Sequence, residues 1–133
     1  MQANLSVHVG TDIESVADVT ASLDRWGERY ARRLFTDNEL ADCGVTPSAA
    51  PRLTARFAAK EAVIKLLGPA DVVPGWRSIE VCLAPNGAPS IILHGEAADL
   101  ARERGISQLS VSLSHAAGIG TATVVALATP ERG

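Results

Sequence analysis

Glu61 and Lys65 stand one helical turn apart in a stretch that is otherwise almost entirely small or apolar. At about 100° per residue they share one face of a helix, with Thr54 and Ala58 on the same side. Leu53, Phe57, Val63, Ile64, Leu66 and Leu67 fill nearly all other directions. Arg56 and Lys60, again four residues apart, point into that apolar arc. A helix this apolar is largely buried, and buried cations need partners. The ordinary reading of Glu61 and Lys65 is a solvated helix pair, worth roughly 0.3–0.5 kcal/mol; such pairs are common. The chemically sharper reading is a phosphate and metal site. Glu61 would be a hard oxygen ligand, with Lys65 and Arg56 as anion contacts. The pattern by itself leaves both open.

Asp12 closes an early run of alternating residues and opens a helical one. Capping that helix would explain an aspartate there. The alternative is a second metal ligand, since Mg²⁺ takes one or two carboxylates and leaves its other positions to water and substrate phosphates. His115 follows Leu109, Val111 and Leu113 on one face of a strand, and Ser110, Ser112 and Ser114 lie on the other. Ser114 and His115 therefore point apart, which argues against a serine hydrolase. A histidine continuing an apolar face is ordinarily a core or edge residue; at a strand end beside a turn, a phosphate contact is the alternative. Gly118-Ile119-Gly120 is no dinucleotide fingerprint, because it has no third glycine and no following helix. His8 and His94 have no metal-cluster spacing with His115.

These residues need elements to position them. Leu5–Val9 alternates as a strand ended by Gly10-Thr11-Asp12. Ile13, Val16, Val19 and Leu23 have helical spacing, and the helix is expected from Ile13 to about Tyr30. Thr36 and Glu39 form a capping box for a short helix to about Cys43. The strongest helix starts at Ala49 or Pro51 and runs to Leu67. It carries alanine at 55, 58, 59 and 62, and Gly68-Pro69 stops it. Residues 78–83 and 90–93 read as strands joined at Asn86-Gly87. A helix from Glu96 to Arg104 ends at Gly105. Residues 109–114 and 121–127 read as two last strands around Ala116-Ala117-Gly118. The succession suggests an α+β domain with mostly antiparallel pairing, one long central helix and shorter helices.

The 133 residues suit one domain. With 47 % apolar and 20 % charged residues the chain is globular. A net charge of −3 is too mild for coating nucleic acid, so any anion site must be built from a few placed cations. Cys43 and Cys82 form no CxxC pair, and a reduced, cytoplasmic setting is expected. No signal peptide is visible in residues 1–10. The apolar stretch near 124–128 is too short for a bilayer.

Several segments resemble one known family, the small bacterial holo-acyl-carrier-protein synthase branch of the 4′-phosphopantetheinyl transferases. Val9-Gly10-Thr11-Asp12-Ile13 is similar to its G-x-D-I motif. Arg33–Glu39 is similar to R-x-F-T-x-x-E, and Arg56–Gly68 matches the hallmark R-F-A-A-K-E-A-x-x-K-A-x-G helix almost throughout. Trp76–Val81, Gly87-Ala88-Pro89 and Val111–His115 match later landmarks in order. The resemblance covers almost the whole chain and implies a single phosphopantetheinyl transferase domain over 1–133.

It implies transfer of 4′-phosphopantetheine from coenzyme A to a serine of an acyl carrier protein, in fatty-acid or polyketide synthesis. Asp12 and Glu61 would hold Mg²⁺ with the coenzyme diphosphate. Lys65 would contact that diphosphate and protonate the leaving adenosine 3′,5′-bisphosphate, and Glu61 would help deprotonate the carrier serine. Arg56 and His115 would sit near the 3′-phosphate, and Lys60 and Gly68 would belong to the same cofactor-binding set. Homotrimers with sites between subunits are implied, and neither membrane nor nucleic acid. A neighbour and a ligand would then supply the partners of Arg56 and Lys60. The other reading is a non-catalytic coenzyme A- or synthase-binding domain of the same fold. One departure concerns docking: where the family has an acidic residue and then an arginine, this chain has Ser15 and Asp18. An aspartate there would repel an acidic carrier, leaving Arg25, Arg29, Arg32 and Arg33 to supply the charge, or pointing to a less acidic carrier.

Overall fold

The computed structural model describes residues 4–130. Strand β1 (Ser6–Ser15) pairs antiparallel with β5 (Ile119–Ala128), which pairs antiparallel with β4 (Ile106–Ala116), giving a sheet of order β1-β5-β4. A second sheet is the hairpin of β2 (Ile79–Leu83) and β3 (Pro89–Leu93), turned at Asn86-Gly87. The helices are α1 (Val16–Trp26), α2 (Glu28–Leu34), α3 (Asp37–Cys43), α4 (Ala50–Leu67) and α5 (Gly95–Glu103). The expected α+β class is what the chain adopts.

The spacing predicts one helix from Ile13 to about Tyr30; the structure has the end of a strand and two helices there. β1 does not stop at Asp12, because Asp12, Ile13, Glu14 and Ser15 find partners in Ala122, Thr121, Gly120 and Ile119. Pairing along the full edge overrides the local helical spacing. Val16, Val19 and Leu23 do pack inward, but Ile13 stays 63 % exposed. Ser15, and not Asp12, caps α1, accepting a hydrogen bond from the Asp18 amide at 3.2 Å. Gly27, at φ +56°, breaks α1 from α2. The capping box of Thr36 and Glu39 forms as expected, and Gly68 ends α4 in the left-handed conformation.

Helix α4 is the axle of the molecule. Ala58, Ala59, Ala62, Val63, Leu66 and Leu67 pack with Ala122, Val124 and Ala126 of β5 and with β2 and α5. Leu53 and Ala50 join a second cluster with Val19, Leu23, Ala31, Phe35 and Leu40. Small residues let the helix lie close on the sheet. A Cβ at Gly10 would come within 2.0 Å of the Ala62 carbonyl oxygen, and one at Gly120 within 2.8 Å of Thr54 Cγ2. Two glycines thus seat α4 on β1 and β5.

Candidate active site

Alternation along β1 puts residues 10, 12 and 14 on the face that α4 covers. Gly10 allows the close approach, and Asp12, two residues on, meets the helix one turn further along. Lys65 Nζ lies 2.8 Å from Asp12 Oδ1 and donates to the Thr11 carbonyl at 3.0 Å. The Asp12 side chain is only 10 % exposed while that of Lys65 is 55 % exposed. Asp12 Oδ2 is buried and accepts no hydrogen bond. Glu61, one turn before Lys65 on the same helical face, is half-buried beside this pair.

The electrostatics follow from that crowding. Burial, then the Asp12 charge, raises the Glu61 carboxyl, with Lys65 opposing. The Asp12 hydrogen bond, reinforced by the Asp12, Glu61 and Glu14 charges, holds Lys65 more firmly protonated than a free lysine. Glu14 belongs to the same cluster. Burial, then the neighbouring Asp12 carboxylate and the Glu61 charge, lift its carboxyl to about 7 against the pull of Lys65. A strand ending at Asp12 leaves Glu14 out of the site; alternation continued through Gly10-Thr11-Asp12 carries β1 to Glu14. Beyond Glu14 lies Tyr30 of α2, whose hydroxyl is raised by burial and then by the Glu14 charge. Tyr30 borders a cavity of about 390 Å³ with Trp26, Arg29 and Arg33.

The site residues expected from the sequence fall into two groups. Asp12, Glu61 and Lys65 come together. His115 lies at the same end of the sheet: it pairs with Gly120, which pairs with Glu14. It is exposed, two strand spacings or about 10 Å of backbone from β1. Arg56 points away, roughly 140° around α4 from Glu61. It is 3 % exposed, its Nη1 reaches only the Arg52 carbonyl at 3.4 Å, and its Nε has no partner.

Lys60 is a correction. Its ammonium is fully enclosed, 2.7 Å from Glu39 Oε1, and also donates to the carbonyls of Trp76 (3.1 Å) and Ile79. Its partners come from its own chain, and no donor remains for a phosphate. Burial lowers its pKa more than Glu39 raises it. Gly68 likewise serves the fold, capping α4 and giving its carbonyl to Arg104.

Among the described residues, no three or more His, Cys, Asp or Glu side chains gather closely enough to cage a metal ion. A site sharing its ion with substrate oxygens needs only one or two carboxylates. Asp12 and Glu61 fit that requirement, and the orphaned Asp12 Oδ2 is an acceptor that a cation would satisfy.

Antiparallel sheets packed on one largely buried helix, with Asp12, Glu61 and Lys65 meeting where that helix crosses β1, form a site suited to phosphate chemistry. Residues 8–120 match the 4′-phosphopantetheinyl transferase superfamily. The chain is 44 % identical over 121 residues to the holo-[acyl-carrier-protein] synthase of Dehalococcoides mccartyi, spanning 90 % of this chain and 98 % of that protein. It is 40 % identical over 126 residues to the synthase of Herpetosiphon aurantiacus, over 89 % and 96 % of the two chains. The crystal structure of the Plasmodium yoelii holo-ACP-synthase superposes with a TM-score of 0.81 at 26 % identity, covering 94 % of this chain and 98 % of that one. The Helicobacter pylori synthase in complex with coenzyme A gives 0.73 at 30 % identity, over 89 % and 98 %. The chain belongs to the 4′-phosphopantetheinyl transferase superfamily, in its holo-[acyl-carrier-protein] synthase branch, and is an enzyme of that transferase class.

Proposed function

We propose that this enzyme moves 4′-phosphopantetheine from coenzyme A to a serine of an apo acyl carrier protein, releasing adenosine 3′,5′-bisphosphate, with Mg²⁺ held by Asp12 and Glu61. The observation that carries the reading is the buried Asp12 carboxylate, paired to Lys65 through one oxygen and unsatisfied at the other. A bound Mg²⁺ supplies charge neutralisation on the diphosphate. Lys65 lies half in solvent, so its ammonium can turn from Thr11 onto an arriving phosphate oxygen. Its neighbours keep it protonated, and it is the proton source for the leaving group. Glu61, raised above an exposed glutamate, takes the proton of the carrier serine more readily, directly or through a water.

Arg56 and His115 would hold the 3′-phosphate. They lie apart from Asp12 and from each other in one copy, and this supports a site completed by a neighbour in a homotrimer. For the carrier, Arg29 and Arg33 line the cavity beside Tyr30, and Arg25 stacks 4.8 Å from the Trp26 ring. Arg32 is already paired with Glu28 and Asp37. Asp18 sits in the first turn of α1, where an acidic residue favours the helix. The setting is a reducing cytoplasm; Cys43 and Cys82 are unpaired, and among the described residues no helix is long and apolar enough to cross a membrane.

Intact-mass spectrometry of apo carriers incubated with the enzyme, coenzyme A and Mg²⁺ tests this. A gain of one phosphopantetheine, lost with chelator and with Glu61→Gln, is expected. Tight coenzyme binding with no gain on any carrier of a broad panel would instead identify a non-catalytic binding domain.

A further inference from the structure

The open faces of α2 and α5 carry opposite charges around apolar hollows. On α2, Arg29 and Arg33 stand one turn apart, and with Tyr30 and Trp26 they line the cavity of about 390 Å³. Trp26 is 52 % exposed, and Arg25 stacks on its ring. On α5, Glu96, Asp99, Leu100 and Glu103 follow the i, i+3, i+4, i+7 spacing and share one face. With Val72 and Pro74 they line a second cavity, of about 250 Å³. Val72 is 74 % exposed. The two linings have no residue in common.

Arg29, Arg33, Glu96 and Glu103 are exposed, and none has an ion-pair partner among the described residues. Asp99, by contrast, is held by Arg102, and Arg32 by Glu28 and Asp37. Arg29 and Arg33 are separated by about 6 Å of helix and Glu96 and Glu103 by about 10 Å, a difference that the long arginine side chains span. Each hollow has an apolar centre: aromatic rings on one side, Leu100, Val72 and Pro74 on the other. An apolar centre rimmed by charges of opposite sign is how two protein surfaces match. One chain holds both halves on separate surfaces, so the occupant that fits is a second copy. We propose that the α5 face of one copy docks in the Trp26–Tyr30 cleft of the next, with Leu100 against the rings and Glu96 and Glu103 against the two arginines. The contact is head to tail, so it either closes a ring or propagates. It leaves Asp12, Glu61 and Lys65 untouched. It covers Arg29 and Arg33, so a carrier that uses those arginines and a second copy exclude one another.

The test is sedimentation velocity of the whole chain at about 0.01 M and about 1 M salt, between which the screening length falls from roughly 30 Å to roughly 3 Å. The species at high salt is the basal unit, whatever its size. In low salt the wild type should sediment faster than that unit, and faster still as its concentration rises. Two neutral double variants, Arg29→Gln with Arg33→Gln and Glu96→Gln with Glu103→Gln, should each stay at the basal size. Mixed in equal amounts they should associate again, because the first keeps the acidic half and the second the basic half. Val72→Ser keeps every charge and should associate several-fold more weakly, which tests the apolar centre without altering a helix. Asp42→Asn, exposed on α3, should behave as wild type. A wild type whose size ignores salt, neutral variants that associate as it does, or a mixture that stays at the basal size would overturn the proposal.

Discussion

Lys60 and Glu61 are neighbours in the chain, yet one holds the fold and the other faces the chemistry. Their side chains leave α4 about 100° apart. Lys60 enters the interior, where Glu39 meets it with both oxygens occupied: Oε1 by Lys60 and the Thr36 amide, Oε2 by the Val81 amide at 2.9 Å. Removing one partner of such a pair leaves an uncompensated buried charge. Lys60→Met should therefore lose about 3–5 kcal/mol in urea unfolding. Adding Glu39→Gln should recover part of that loss, whereas a surface role for Lys60 would leave the unfolding midpoint unmoved. Here the sequence was half legible. The burial of Lys60 and its need for a partner could be read from helical spacing. Its partner could not, because Glu39 had a complete local explanation in the capping box and is 21 positions away. A resemblance groups Asp12, Glu61 and Lys65; spacing alone favours a solvated helix pair for Glu61 and Lys65.

Among the elements, β1 and the helices that follow it depart from the sequence reading, and the length of β1 decides the site. Local spacing from Ile13 onward is helical, but ten consecutive partners in β5 hold the chain extended to Ser15. Such pairing is set by residues more than a hundred positions away, and its local trace, continued alternation through Gly10-Thr11-Asp12, is outweighed by the helical spacing from Ile13. α4, by contrast, was legible almost to the residue, since alanine content, apolar surround and a glycine stop are all local signals. The contact between the two elements passes through Gly10. Gly10→Ala places a methyl against the Ala62 carbonyl, and strand and helix must part to admit it. The expected cost is about 1–3 kcal/mol, with a larger fractional loss of transferase activity, since the shift separates Asp12 from Lys65. Urea unfolding beside a transfer assay checks this; an unchanged rate at reduced stability would mean that the site does not depend on the contact.

At the scale of the molecule, the sheet has a second face that α4 does not cover. Val7, Val9 and Ile13 on β1 are 69 %, 64 % and 63 % exposed, next to Val125 of β5. β1 is also an edge strand. An apolar face of this kind suits an interaction surface, and a neighbour in the proposed homotrimer would cover it. Val9→Glu should leave the isolated fold within about 0.5 kcal/mol of wild type. In sedimentation velocity it should shift a trimer to monomers, with loss of transfer. A wild-type enzyme that sediments as a monomer at full activity would remove the shared-site reading.

The two-residue period of β1 also bears on how this protein can vary. Substitutions at Thr11 or Ile13 change residues on the open face and leave the pocket composition intact. A deletion or insertion of one residue between Gly10 and Ser15 has no such latitude. It reverses the parity of the strand and turns both acidic side chains outward. Length in this segment is therefore more constrained than identity, and related chains should differ here by replacement and almost never by gaps.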